Sequence, residues 1–122
     1  MANFFGATGI TVSDIRRSID FYTEILGMNV SNIFEQPYVN EVMLELAGSS
    51  SLLLMKGCTT IDDRHAVKLV FYVSDIVPIV AHVRAAGLEI VSAPQTALLH
   101  GETLYSHFYD PDGYLLELLE LN

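Results

Sequence analysis

Between Ile15 and Leu26 the apolar residues Ile15, Ile19, Tyr22 and Leu26 recur at helical spacing, with Arg16, Asp20 and Glu24 spaced for the wet face. Ser13 or Asp14 is placed to cap the start of this helix, and Gly27 stands where it should stop. A second helix runs from an Asp75 cap to about Ala86 and meets Gly87; Pro78 falls in its first turn, where a missing N–H costs little. The remaining apolar runs are short and rich in β-branched and aromatic residues. They predict strands over residues 7–12, 28–34, 41–47 and 51–56, then 67–73, 88–92, 103–109 and 114–121. Gly48-Ser49-Ser50 and Asp110-Pro111-Asp112-Gly113 are turns; in the second, proline sets φ and glycine takes the positive φ. Residues 56–64 form a polar linker, and residues 92–102 form a loop placed to fold over a pocket.

The pattern repeats. Val12-Ser13-Asp14-Ile15 returns as Val73-Ser74-Asp75-Ile76 at an offset of half the 122-residue chain, and Val30-Ser31 returns as Val91-Ser92. The expected architecture is therefore α+β, with β-α-β-β-β occurring twice, as one module of about residues 1–60 and another of about 61–122. A duplicated module sets two pseudo-equivalent surfaces together, and the cleft between them is the first place to look for function.

Composition narrows the function. A chain of 122 residues that is 51% hydrophobic builds one compact domain rather than a disordered segment. The net charge of −9, with six basic residues and no cluster beyond Arg16-Arg17, excludes the basic stripe that nucleic acid needs. Acidity serves solubility and also favours a cationic ligand. No apolar run reaches the ~18 residues of a membrane span. The opening Met1 to Gly6 has neither a basic n-region nor a cleavage pattern, so no signal peptide is expected. Cys58 is the single cysteine, in line with a reducing cytoplasm, and no histidine lies nearby in sequence to activate it.

The segments Asp14 to Tyr22 with Leu26-Gly27-Met28, and Phe108 to Tyr114 with Leu116-Glu117-Leu118, resemble the vicinal oxygen chelate superfamily across essentially the whole chain. That group includes glyoxalase I, extradiol dioxygenases, fosfomycin-resistance enzymes and bleomycin-resistance proteins. The resemblance implies two modules whose curved mixed sheets form a cleft (a glyoxalase-like fold). It also implies metal ligands on the first and last strand of each module. Those positions carry Ala7, about Leu54, Lys68 and Glu117. Only Glu117 matches the family's ligand chemistry; alanine and leucine have no donor atom, and lysine must lose a proton to bind a metal. No cofactor is expected.

Lys68 and Glu117 are therefore expected to pair, the ammonium taking the metal's place, unless Lys68 snorkels out to water. Strand alternation puts Val70 and Tyr72 beside Lys68, and Leu115 and Leu119 beside Glu117. Leu52 lies with Leu54; Tyr105, His107 and Tyr109 share one face, with Phe108 behind; Met43 and Glu45 lie on the related strand of the first module. His107 is the one histidine placed in the cleft, and with Glu117 it is the weak candidate for an off-pattern metal site, to which Glu45 would add a carboxylate if it faces inward. His65, His82 and His100 are placed elsewhere.

Greasy strands around one charged spot suggest a metal-free protein that sequesters an aromatic or cationic small molecule, as bleomycin-resistance proteins do, working as a cytoplasmic homodimer. Two alternatives stand beside this: a divergent metal-dependent enzyme of the glyoxalase or dioxygenase type, and a non-catalytic interaction module whose cleft is filled by side chains.

Overall fold

The computed structural model describes residues 7–36, 39–46, 51–56, 67–98 and 102–120. Strand β1 (Ala7–Val12) leads into helix α1 (Ile15–Asp20), which continues as a π-helical turn (Phe21–Ile25), and then into β2 (Asn29–Gln36), β3 (Val39–Glu45) and β4 (Ser51–Lys56). The second half repeats this order with β5 (Lys68–Val73), α2 (Ile76–Ala85), β6 (Ile90–Leu98), β7 (Glu102–Tyr109) and β8 (Leu115–Glu120). The chain divides into two compact units, Met1–Thr60 and Ile61–Asn122. Each holds one four-stranded mixed sheet, ordered β1-β4-β3-β2 in the first and β5-β8-β7-β6 in the second. In each unit the first strand pairs in parallel with the last, and the other neighbours are antiparallel. The β-α-β-β-β order is thus realised twice.

The two helices differ at their caps and in the number of residues they hold. Asp14 caps α1, its Oδ1 accepting from the backbone N–H of Arg17 at 3.1 Å. Asp75 has the same extended backbone but makes no side-chain cap bond. There is one more residue between Asp14 and Gly27 than between Asp75 and Gly87. The π turn absorbs it, as single π turns inside α-helices do. The closing hydrogen bond shifts to match: Leu88 N–H reaches back to Val83 O at 3.2 Å, whereas Met28 N–H reaches one residue further, to Tyr22 O at 3.0 Å. Gly27 and Gly87 take φ of 74° and 77°, the left-handed conformation that ends a helix with little cost only for glycine.

One face of each sheet lies under its helix and forms the core. In the first unit this face carries Ile10, Val12, Val42, Leu44, Leu52 and Leu54, all buried, with α1 packed on β4. This corrects the expectation that Leu52 and Leu54 line a pocket. Leu54 pairs across the sheet with Ile10 and Val42, and Leu52 with Leu44, so both point into the core. In the second unit Phe108, Leu116 and Leu118 are buried, with Ile76, Val80 and Val83 of α2 above the sheet.

A second correction concerns residues 92–98, which were expected within a loop. They are strand, because β6 runs on to Leu98, and β7 begins at Glu102; residues 99–101 lie outside the described residues. The Gly48-Ser49-Ser50 turn, Ala47, Cys58, His65, His100 and most of the linker lie outside the described residues. Among the described residues no helix is long and apolar enough to cross a membrane.

Candidate ligand-binding face on the second sheet

The Asp110–Tyr114 turn sets the register of the face. Asp110 Oδ1 accepts from the backbone N–H groups of Asp112 at 2.8 Å and Tyr114 at 2.9 Å. Gly113 takes φ of 89°, and its N–H closes on Asp110 O at 3.0 Å. Asp110 is buried, so these bonds stabilise a polar group that would otherwise be costly to enclose. The Asp-Pro-Asp-Gly segment is thus a structural device that locks β7 against β8 with His107 directly opposite Glu117.

Directly paired residues project to the same side of a sheet, so the pairings give three rows across the face away from α2. The central row reads Val70, Glu117, His107 and Ser92 along β5, β8, β7 and β6. On one side of it lie Lys68, Leu115 and Tyr109, and on the other Tyr72, Leu119, Tyr105 and Gln95. The six residues that strand alternation places around Lys68 and Glu117 (Lys68, Val70, Tyr72, Leu115, Glu117 and Leu119), together with Tyr105, His107 and Tyr109, therefore share one surface. Tyr72 and Val70 are strongly exposed, at 66% and 42%.

Hydrogen bonds link the polar members. Glu117 Oε1 lies 2.8 Å from His107 Nε2 and 3.4 Å from Lys68 Nζ. The expected lysine–glutamate pair is therefore formed, although Lys68 stays 48% exposed and Glu117 only 17%. At that exposure such a pair contributes little stability, on the order of 0–1 kcal/mol. On its other side His107 Nδ1 lies 2.8 Å from Ser92 Oγ. An ionised carboxylate only accepts, so in the neutral imidazole Nε2 carries the proton and Nδ1 accepts from the Ser92 hydroxyl. The Tyr105 ring meets His107 edge-on at 5.4 Å.

The equivalent row in the first unit reads Gly9, Leu53, Met43 and Asn32. The counterpart of Glu117 is thus Leu53, one residue before the Leu54 that strand counting selected. Met43 is half-buried and Glu45 exposed, on the side of β3 opposite Val42 and Leu44. His82 is exposed on α2.

The donor set does not fit the metal that the family resemblance implies. The side chains of Ala7 and Leu53 bring no donor atom, Lys68 brings a cation, and one of the two oxygens of the Glu117 carboxylate already accepts from an imidazole and an ammonium. Among the described residues no group of three histidine, cysteine or carboxylate side chains is placed to hold a metal ion.

Ser92 was missed because the strand ended there in the sequence reading. One signal pointed to it: Pro94, which a strand tolerates only at an edge or a bulge. A separate concavity in the first unit, lined by Ile15, Arg16, Ile19, Ile33, Phe34, Glu41 and Val42, also gave no sequence signal.

The sequence model of the Glyoxalase/Bleomycin resistance protein/Dioxygenase superfamily matches residues 5–118. A probable lactoylglutathione lyase of Synechocystis sp. is 29% identical over 93% of this chain and 92% of its own length. A probable chloroplastic lactoylglutathione lyase of Arabidopsis thaliana is 31% identical, and the match spans 89% of this chain but 33% of that protein. Among solved structures, the glyoxalase I of Leishmania major is 31% identical with a TM-score of 0.77, covering 98% of this chain and 87% of that one. An antibiotic-binding protein from Streptomyces sp. CB03234 has a TM-score of 0.78 over 100% and 99% of the two chains; at 21% identity the likeness is one of fold.

Proposed function

The chain belongs to the glyoxalase/bleomycin resistance protein/dioxygenase superfamily, and from that premise we propose that it is a metal-free, small-molecule-binding protein that sequesters an aromatic or cationic ligand. The observation that carries this reading is the face of the second sheet, where Tyr72, Tyr105 and Tyr109 surround a charged spot made by Lys68, Glu117 and His107. Tyrosine rings offer broad apolar contact and a negative face to a flat or cationic guest. The net charge of −9 draws a cation toward the protein. Replacement of metal donors by Ala7, Leu53 and Lys68 removes the Lewis acid on which metal-dependent members depend, and leaves binding as the capacity that the residues retain. The protein works on this reading as a cytoplasmic homodimer.

Titration calorimetry and thermal denaturation with bleomycin and with proflavine, a flat aromatic cation, test the proposal. The chain has no tryptophan and six tyrosines, so quenching of tyrosine emission gives a third readout. Saturable binding is expected, with a stability gain approaching ~2.7 kcal/mol at a hundredfold excess over Kd. Tyr72→Ala should weaken it about 3- to 10-fold, the worth of one aromatic contact. No heat, no shift in Tm and no quenching with either probe would refute the reading.

One observation favours a second reading. The Synechocystis and Arabidopsis relatives are probable lactoylglutathione lyases, and Glu117 with His107 supplies a carboxylate and an imidazole at hydrogen-bond distance, able to exchange protons with a substrate. Turnover of lactoylglutathione that depends on added metal and is lost in Glu117→Gln would replace sequestration with lyase chemistry.

A further inference from the structure

We infer that the Ser92 hydroxyl is an acyl acceptor toward activated aryl esters, with His107 as its general base and Glu117 as the carboxylate that orients the imidazole. This goes beyond reversible binding and stands whether or not the face holds a guest tightly.

Three observations carry it. The first is the hydrogen-bonded line itself. Ser92 Oγ lies 2.8 Å from His107 Nδ1, and His107 Nε2 lies 2.8 Å from Glu117 Oε1; in the neutral imidazole facing an ionised carboxylate, the hydroxyl donates to Nδ1 and Nε2 donates to Glu117. That is the polarity of a nucleophile, its base and the base's orienting group, recognised by roles and geometry rather than by order in the chain. Lys68 at 3.4 Å balances the charge of the carboxylate.

The second is how Ser92 reaches the row. Strand β6 shifts register between Ile90 and Ser92 and again between Ser92 and Gln95. Ile90 pairs with Phe108, on the core face, so a regular strand would have put Ser92 on the core face as well. The first bulge turns it to the side of His107, and the second keeps Gln95 in phase with Tyr105. The buried Ser106 Oγ donates to Ser92 O at 2.7 Å and holds the backbone there.

The third is the sister row in the first unit, where Asn32, Met43 and Leu53 build the same sheet without any such relay. The architecture therefore does not require the Ser92–His107–Glu117 line. Imidazole and carboxylate both stay reachable, at 22% and 17% exposure.

The reaction balances with no further reagent. Ser92 Oγ forms a bond to the ester carbonyl carbon and passes its proton to His107 Nδ1. The tetrahedral adduct collapses, the bond from acyl carbon to phenolate oxygen breaks, and the His107 proton goes to the departing phenolate. The products are acyl-serine and a phenol. Tyr105, edge-on to His107, provides a surface for the aryl ring. Among the described residues the geometry assigns a base and an orienting group but no oxyanion donors, which is why the substrate class is esters with good leaving groups.

The 122-residue protein mixed with 4-nitrophenyl acetate in a stopped-flow instrument gives the test. The expected result is a burst of about one nitrophenolate per chain, with the acetyl group mapped by peptide mass spectrometry to Ser92. Ser92→Ala should abolish the burst, while Ser92→Cys, which keeps a nucleophile, should retain it. His107→Ala should slow acylation ~100-fold or more, the usual contribution of a positioned base. Acetyl found only on lysine or tyrosine in the wild-type protein would overturn the inference, and so would an undiminished burst in Ser92→Ala. Because the wild-type map alone decides the point, poor folding of a variant does not shelter the proposal. Loss of proflavine binding with acylation intact would count against sequestration alone.

Discussion

Leu53 and Leu54 are neighbours in sequence and opposites in the sheet. Leu54 is fully buried against Ile10 and Val42, while Leu53 occupies the row of Met43 and Gly9. Leu54→Ala should therefore cost ~2–5 kcal/mol, as emptying a core site does, and Leu53→Ala clearly less. Urea denaturation checks this, with the midpoint falling much further for Leu54 at an unchanged m-value. Equal losses would mean that the sheet register is misplaced. His107→Ala makes the complementary case. It strips Ser92 Oγ and Glu117 Oε1 of their shared partner, and should lower stability by about 1–3 kcal/mol in the same measurement. The chemistry of both sites was legible as residue types. Which of two adjacent leucines faces the core was not, because a slip of one residue moves a strand residue to the other face.

At the scale of elements, the helix boundaries were readable because caps and stops are local. Asp14, Asp75, Gly27 and Gly87 each act within a turn or two of chain, and all four ends fall close to where they were expected. Their energies should differ. Asp14→Ala removes a formed cap bond and should cost ~0.5–2 kcal/mol, whereas Asp75→Ala removes none and should fall at or below the low end of that range. Gly87→Ala meets no neighbouring atom within 4 Å, so its cost is the left-handed backbone alone, roughly 1–2 kcal/mol. Thermal denaturation of the three variants ranks them. The π turn and the β6 bulges were less accessible. Each inserts one residue into a regular element, and periodicity read over a window averages such an insertion away. The unequal Asp-to-Gly spacing in the two halves was the trace of the π turn.

The molecule as a whole is a duplication whose copies share a fold but not a chemistry. The second sheet carries Ser92, His107, Glu117 and Lys68, and the equivalent positions of the first carry Asn32, Met43, Leu53 and Ala7. Two expectations belong at this scale. Incubation with Mn, Fe(II), Co, Ni or Zn followed by desalting should leave well below one equivalent of metal per chain, since the donors are too few; a retained equivalent would place ligands outside the described residues and favour the lyase reading. The net charge of −9 should also make uptake of proflavine faster at low salt, with the association rate falling as ionic strength rises from 0.01 to 0.15 M, across which the Debye length shrinks from about 30 to about 8 Å. A rate indifferent to salt would separate the guest from the protein's field.

By itself the sequence determined the β-α-β-β-β repeat, the family, the two helices with an aspartate before each start and a glycine after each end, and the Asp110–Gly113 turn. All of these rest on local stereochemistry or on motifs a few residues long. Only the tertiary structure decided that Leu52 and Leu54 belong to the core, that residues 92–98 are strand, and that Ser92 stands beside His107. Each of those depends on which residues of two distant strands lie opposite one another, and a single bulge or π turn changes that pairing while leaving the apolar pattern along the chain almost unaltered.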